Sequence, residues 1–152
     1  MAGLLLTATS GECTLAAATA KTLLQIKAPT NQRVLLRSLA VIGKQAAGGT
    51  DAVVKVRLTR STANFGTGTS VTPIKMDPAW GETVQTTVAK DFSGEPTNPT
   101  DISYWLEVQP QSGLILPFAP GLELRIPGGA ALNIECTSTG TPTLTVSVVI
   151  EE

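Results

Sequence analysis

The last third of the chain decides its fold, and residues 122–150 read LELRIPGGAALNIECTSTGTPTLTVSVVI. Apolar residues alternate with polar ones over 122–126, 132–136 and 143–150. Alternation at period two predicts strands with one face buried and the other in water. Gly and Pro residues separate the runs, and such spacing predicts a compact antiparallel all-β domain.

Similar patterns continue toward the N-terminus. Asn64 to Ser70, rich in Gly and Thr, predicts a loop, and an irregular segment covers 77–101. We predict further strands at 23–27, 34–42, 54–59, 71–76, 83–89, 104–108 and 114–116. For residues 34–42, a helix is the alternative to a strand. Eight to ten strands predict an antiparallel two-sheet β-sandwich of jelly-roll type. An immunoglobulin-like sandwich is less suitable, because Cys and Trp are not placed as antibody domains require.

A chain of 152 residues fits a single domain. We divide it into an N-terminal arm or first strand, residues 1–18, and a single β-sandwich domain, residues 19–152. The apolar run Leu4–Leu6 has no basic residues before it and is soon broken by Thr7 and Ser10. We therefore predict neither a signal peptide nor a membrane span, and we expect synthesis and use in a cytoplasm-like compartment.

Charge is sparse and unevenly distributed. Only 15% of the residues are charged, against about 25% in typical domains. From Lys21 to Lys75 there are nine bases and one acid, and from Asp77 to Glu152 ten acids and two bases. No nucleic-acid partner is expected, because aromatic residues that stack on bases are almost absent from the basic half. The halves are expected to interleave in one sandwich or to meet across subunits.

No chemical motif indicates catalysis. The chain has no histidine, no Walker loop and no G-x-G-x-x-G, so we expect no enzyme, no cofactor and no metal. Five acids of the irregular segment could form a carboxylate pair or bind calcium, but acids in polar loops are usually just solvated: Asp77, Glu82, Asp91, Glu95 and Asp101. Cys136 is predicted to be a buried free thiol, with a bridge to Cys13 as the alternative.

Aromatic residues supply the candidate interface. Tyr104 and Leu106 are two residues apart on one strand, so their side chains point to the same face, which is predicted to be the inner one. Trp105 then lies on the other face with Glu107. Trp105 then lies at a subunit interface, under a loop of its own chain, or on a ligand platform, and Trp and Tyr are enriched at interfaces. The candidate interface residues are Trp80, Trp105, Phe118, Arg57 and Glu107.

Four segments of this sequence share their pattern of strand-like runs bounded by turn residues with a known group of proteins. They are TAKTLLQI at 19–26 running into APTNQRV at 28–34, TPIKMDP at 72–78, WLEVQP at 105–110, and PGLEL at 120–124 continuing through PGG at 127–129 to LNI at 132–134. From about Thr19 to its end, the chain resembles the head decoration (cement) proteins of tailed bacteriophages, which have jelly-roll domains.

The resemblance implies a virion protein that is made in the host cytoplasm and lies on the capsid exterior. Such a protein binds the major capsid protein of an assembled phage head as a trimer and stabilises the shell, and no catalytic residues carry over. Residues 1–15 would then form a flexible arm that reaches the shell and can be deleted without loss of the fold. The alternatives are a carbohydrate- or receptor-binding jelly-roll module of a phage tail or fibre, and a shell subunit.

Overall fold

The computed structural model describes residues 3–45, 52–99 and 102–152, and for residues 102 and 103 it describes the backbone alone. Across these residues the chain forms thirteen strands and no helix, so no helix there could cross a membrane. Seven strands form sheet A: β1 (Leu5–Thr9), β2 (Cys13–Thr14), β4 (Val34–Lys44), β7 (Ile74–Lys75), β10 (Leu114–Pro117), β11 (Leu124–Ile126) and β13 (Thr143–Glu151). Six form sheet B: β3 (Lys21–Lys27), β5 (Val54–Ser61), β6 (Thr67–Val71), β8 (Thr87–Gly94), β9 (Ile102–Val108) and β12 (Ala131–Ser138).

The strands of both sheets pair antiparallel. Sheet A has the order β10-β4-β13-β1-β7, with β11 also paired to β4 and β2 to β13, and sheet B has the order β6-β8-β3-β12-β5-β9. The chain passes from one sheet to the other at most of its connections. The predicted all-β antiparallel two-sheet sandwich is confirmed, and the jelly-roll subtype stays a prediction.

The core lies between the two sheets and follows the alternation of the sequence. In β5, Val54, Val56 and Leu58 are fully buried, while β13 contributes Val146 and Ile150 from the opposite sheet. These β-branched and Leu side chains suit strands, because they pack well on a pleated surface. The outward positions between them carry the polar and charged side chains on which the functional surfaces depend.

The N-terminal residues belong to sheet A. Strand β1 lies between β13 and β7 and pairs with both, and Leu4, Leu6 and Ala8 are buried in the core. Of the two interpretations of residues 1–18, a first strand therefore describes residues 5–9. The prediction of a flexible arm is wrong for residues 5–9, because this strand pairs within sheet A and buries Leu6 and Ala8 in the core.

Residues 64–76 differ from their predicted loop and single strand. Part of the loop is strand β6, where Gly68 allows close approach to β8, since a Cβ there would lie 2.8 Å from the Lys90 carbonyl oxygen. The predicted strand 71–76 is interrupted at Pro73, which cannot donate a backbone hydrogen bond. The chain then enters sheet A as β7. The strand proposed within 77–101 is present as β8, shifted to residues 87–94.

Candidate interaction surfaces

The opposite charges of the two halves meet within the chain. Because β13 lies beside β4 and β12 lies beside β5, acids of the second half come next to bases of the first. Arg37 pairs with both Glu123 and Glu151, and Arg57 pairs with Glu135. Interleaving in one sandwich therefore accounts for these charges without a second subunit.

Glu123 is held in its ionised form. Its own backbone N–H and that of Gly121, which lies 2.8 Å from Oε2, donate to the carboxylate and lower its pKa, and the neighbouring Arg37 and Arg125 act in the same direction. The desolvation of the group opposes these effects but is outweighed. The Arg37 cluster is therefore a fixed, charge-compensated corner of sheet A.

A buried polar layer covers the outer face of sheet B. The alternation of β12 predicts water at Asn133 and Glu135, but their exposed fractions are only 0% and 5%. The prediction of a wet face is wrong here because residues 95–99, which we call the strap, make side-chain contacts across this face. The layer draws its members from three neighbouring strands: Thr22, Gln25, Arg57, Thr59, Ser61, Asn133 and Glu135.

Asn98 is the centre of the strap. Its Oδ1 accepts from Thr59 Oγ1 and from Asn133 Nδ2, both at 2.8 Å. Its Nδ2 donates to Glu135 Oε2 and, at 3.3 Å, to Thr22 Oγ1. One side chain thus joins three strands, and buried polar groups satisfied in this way favour a single arrangement of the segment that holds them.

Trp105 and Glu107 form an exposed patch, whereas Arg57 does not. The three lie on the outer face of sheet B, where Trp105 is opposite Arg57 and Glu107 is opposite Lys55. The guanidinium of Arg57 is occupied by Glu135 of the polar layer. Trp105 is 53% exposed on the edge strand β9, and Lys55 Nζ lies 5.9 Å from the centroid of its ring. We call Trp105, Glu107 and Lys55 the β9 patch.

Trp80 and Phe118 pack against their own chain. Trp80 is partly buried against the core, and its carbonyl oxygen accepts a 2.7 Å hydrogen bond from Lys75 Nζ. Phe118 contacts Tyr104 edge-on, with 5.6 Å between ring centroids. Tyr104 has the inward register predicted for it, opposite Leu58, but lies near the rim and is 38% exposed.

The acidic candidates have structural roles or lie apart. Glu95 Oε2 accepts from the Thr22 backbone N–H at 2.9 Å, and Asp77 Oδ1 accepts from the Ala79 N–H at 2.9 Å. Asp101 lies outside the described residues. Within the described part of the chain, no group of three His, Cys, Asp or Glu residues could hold a metal ion.

The two cysteines are free thiols, and Cys136 is fully buried as predicted. Burial raises the pKa of the Cys136 thiol far above its ordinary value, and the charges of Glu135 and Cys13 raise it further. The thiolate is the reactive form of cysteine, so Cys136 is chemically inert in the folded chain.

The outer face of sheet A carries a shallow apolar trough. Its volume is about 280 Å³, and no lining side chain is charged. Small residues form the floor, and the connection from β6 to β7 forms one wall: Thr7, Ala8, Thr9, Ser38, Ala40, Val71, Thr72, Ile74, Ser147, Val148 and Val149. The sequence analysis did not find the trough. Its signal is the run of small residues at outward positions, such as Ser38, Ala40 and Ser147.

Comparison of the chain with protein-family models, with curated proteins and with solved structures found no match. The resemblance to phage decoration proteins stays a prediction that rests on the sequence segments named above.

Proposed function

We propose that this chain is a non-enzymatic virion structural protein that binds the outside of an assembled phage capsid as a trimer and stabilises it. The supporting observation is the β9 patch, where an indole 53% exposed lies beside a carboxylate and an ammonium group. Aromatic side chains bounded by polar groups are the usual anchors of protein interfaces.

The surface beside the β9 patch is held in place by ion pairs and hydrogen bonds. The neighbouring Arg57 is fixed by Glu135, and the strap fixes Glu135 in turn. A side chain held in this way loses little conformational entropy when a partner covers it, and this favours binding. The β9 patch therefore borders an Arg57 side chain that stays in place when a shell protein binds.

Stabilisation of the shell follows from mass action. A ligand that binds only the assembled arrangement of subunits shifts the equilibrium toward it, in proportion to ligand concentration and affinity. Three copies in one oligomer present three patches at once, so contacts that are weak singly become strong together.

The test is co-sedimentation with expanded, DNA-free phage heads assembled from a candidate major capsid protein, with the unassembled capsid protein as the comparison. We expect saturable binding to the assembled heads and a higher temperature of head disruption. Trp105→Ala should reduce head binding at least tenfold. Met76→Ala is the matched control, because Met76 is an equally exposed apolar residue (56%) outside the β9 patch.

Equal binding to assembled and unassembled capsid protein would contradict the proposal, as would full binding by Trp105→Ala. The glycan-binding alternative uses the same indole, and a glycan array read with wild type and Trp105→Ala distinguishes the two. Trp80 offers less of its ring to a glycan than Trp105 does, because it is partly buried against the core.

A further inference from the structure

We infer that strand β9 pairs with β9 of a second copy of this chain, antiparallel and about a twofold axis at Leu106, so that sheet B continues from one copy into the next. This inference concerns contacts between copies and goes beyond the proposed binding to a shell. It does not depend on that function.

Strand β9 is an edge strand with one unpaired side. Within the described part of the chain it pairs with β5 alone, and no turn or loop there forms a backbone hydrogen bond with residues 104–108. The N–H and C=O groups along the outer side of an edge strand are a template on which another strand can pair.

The other edges of the two sheets are short or irregular. Strands β2 and β7 have two residues each, β11 has three, and β10 has four and ends at Pro117. The ladder of β6 with β8 shifts register between Thr67 and Thr69. Such features protect edges from further pairing. In β9, by contrast, Tyr104–Val108 pair with β5 in unbroken register and contain no Gly, Pro, Lys or Arg.

The residues of this regular stretch are complementary to themselves. With the axis at Leu106, that residue lies opposite its own copy, Tyr104 lies opposite Val108, and Trp105 lies opposite Glu107. Residues opposed in an antiparallel pair project from the same face. The inward register therefore brings apolar residues to apolar ones, and the outward register brings the indole to a carboxylate.

Neighbouring registers are less suitable. An axis at Glu107 would place two carboxylates directly opposite each other, which is destabilising. An axis at Trp105 would carry the new ladder past Tyr104, where the ladder of β9 with β5 shifts register. A slip by one residue would oppose inward residues to outward ones. The axis at Leu106 avoids all three problems.

Pairing covers the aromatic side chains at this edge and brings opposite charges together. Tyr104 is 38% exposed and Trp105 is 53% exposed in the single chain. Aromatic side chains beside β-branched ones, as with Tyr104 and Val108, stabilise cross-strand pairs. Lys55 Nζ lies 5.9 Å from the centroid of the Trp105 ring. Glu107 of the second copy would come to the same ring, so an ammonium group and a carboxylate would flank it.

The contact is isologous, so it joins chains in pairs. It uses the backbone edge of β9, whereas the Trp105 side chain stands on the outer face of sheet B. Two β9 patches would therefore lie side by side on one continuous surface. The trimer of the proposed function requires a separate threefold contact, and the two contacts together would give an assembly of six chains.

The first test is the mass of the purified chain in solution, by light scattering on a sizing column. We expect wild type to contain an even number of 15.7 kDa chains. Tyr104→Lys should halve that mass, because a lysine hinders pairing at a sheet edge. Ile74→Lys is the matched control, since Ile74 is an exposed apolar residue (69%) on the edge strand β7, and it should keep the wild-type mass.

A disulfide tests the register in a Cys13→Ser background, where Cys136 stays buried. Leu106→Cys places a thiol opposite its own copy, at a Cα separation of about 4.5–5.5 Å that a disulfide can span. Mild oxidation should therefore link two chains. Tyr104→Cys is the matched control, because its two copies would lie four residues, or about 14 Å, apart along the strands. That distance is too long for a disulfide.

The outcomes separate this inference from the proposed function. A wild-type mass of one chain or of three would overturn the pairing, and three would leave the proposed trimer intact. Two chains would support the pairing and contradict the trimer, whereas six would support both. A Tyr104→Lys variant that keeps the wild-type mass would also overturn the inference, as would a Leu106→Cys variant that links no more readily than Tyr104→Cys.

Discussion

The amide Nδ2 of Asn133 donates to Oδ1 of Asn98 at 2.8 Å, although 35 residues separate the two in sequence. Asn133 lies on β12 in the middle of sheet B, and Asn98 lies on the strap that covers it. Gln25 Nε2 donates to the other side of Asn133, at 2.7 Å. A line of amides thus joins the strap to two strands.

Asn98→Ala should lower the free energy of unfolding by about 2 kcal/mol, because it leaves buried partners such as Asn133 and Glu135 without hydrogen bonds. In a domain of this size the melting temperature should fall by roughly 4–8 °C. Thermal unfolding followed by circular dichroism measures the change. Thr97→Ala is the matched control: Thr97 is the exposed neighbour in the strap, and its backbone bond to the Asn64 carbonyl is kept. Equal stability of the two variants would show that the strap is not held by Asn98.

Deletion of residues 1–10 should abolish the fold, because β1 is an inner strand of sheet A. The milder change Leu6→Ala should cost about 3 kcal/mol, since it opens a cavity in the core. Urea unfolding measures both changes. Thr7→Ala, on the outward face of the same strand, should alter stability by less than about 0.5 kcal/mol. A deletion variant with an unchanged unfolding midpoint would support the interpretation of the N-terminal residues as a flexible arm.

Glu123→Gln should destabilise the chain at pH 7 but not in strong acid. The pKa of Glu123 is lowered from its ordinary value of 4.5, so its ionised form stabilises the fold above that pH. This contribution disappears as the pH falls through the lowered pKa. Urea midpoints of wild type and variant should therefore differ at pH 7 and converge once the pH is below the lowered pKa of Glu123. A difference that does not depend on pH would assign the effect to packing.

Cys136 should not react with a thiol reagent until the chain unfolds, because burial raises the pKa of its thiol. In a Cys13→Ser variant, labelling at pH 8 should be negligible under native conditions and complete in denaturant. A Cys136→Ala variant reports Cys13 alone and serves as the comparison. Rapid native labelling of the Cys13→Ser variant would place Cys136 within reach of solvent.

Strand positions could be predicted wherever one face is buried and the other is wet. Strands β5 and β13 show the alternation plainly, because Val and Leu at every second position meet the opposite sheet. The same rule failed at Asn133 and Glu135. Polar residues at outward positions look alike in sequence whether water or a strap covers them, and only tertiary contacts separate the two cases.

The candidate surfaces were predictable in part. The parity of β9 places Trp105 and Glu107 together on the outer face, as the sequence predicts. The alternation along a strand could not reveal that Arg57 forms an ion pair with Glu135, because the two residues are 78 positions apart in sequence. The trough was missed for a similar reason, since its floor combines three strands from distant parts of the chain.

The place of β13 between β4 and β1 has a consequence for the order in which the chain folds. Strand β4 ends at residue 44, and its longest partner, β13, begins only at residue 143. Until then the apolar faces of β1 and β4 have no central strand to pair with. Sheet A can therefore close only after β13 has been synthesised, and such long-range pairing is slow and leaves nascent chains open to aggregation. Chains that terminate early should accumulate as aggregates rather than as shortened sandwiches.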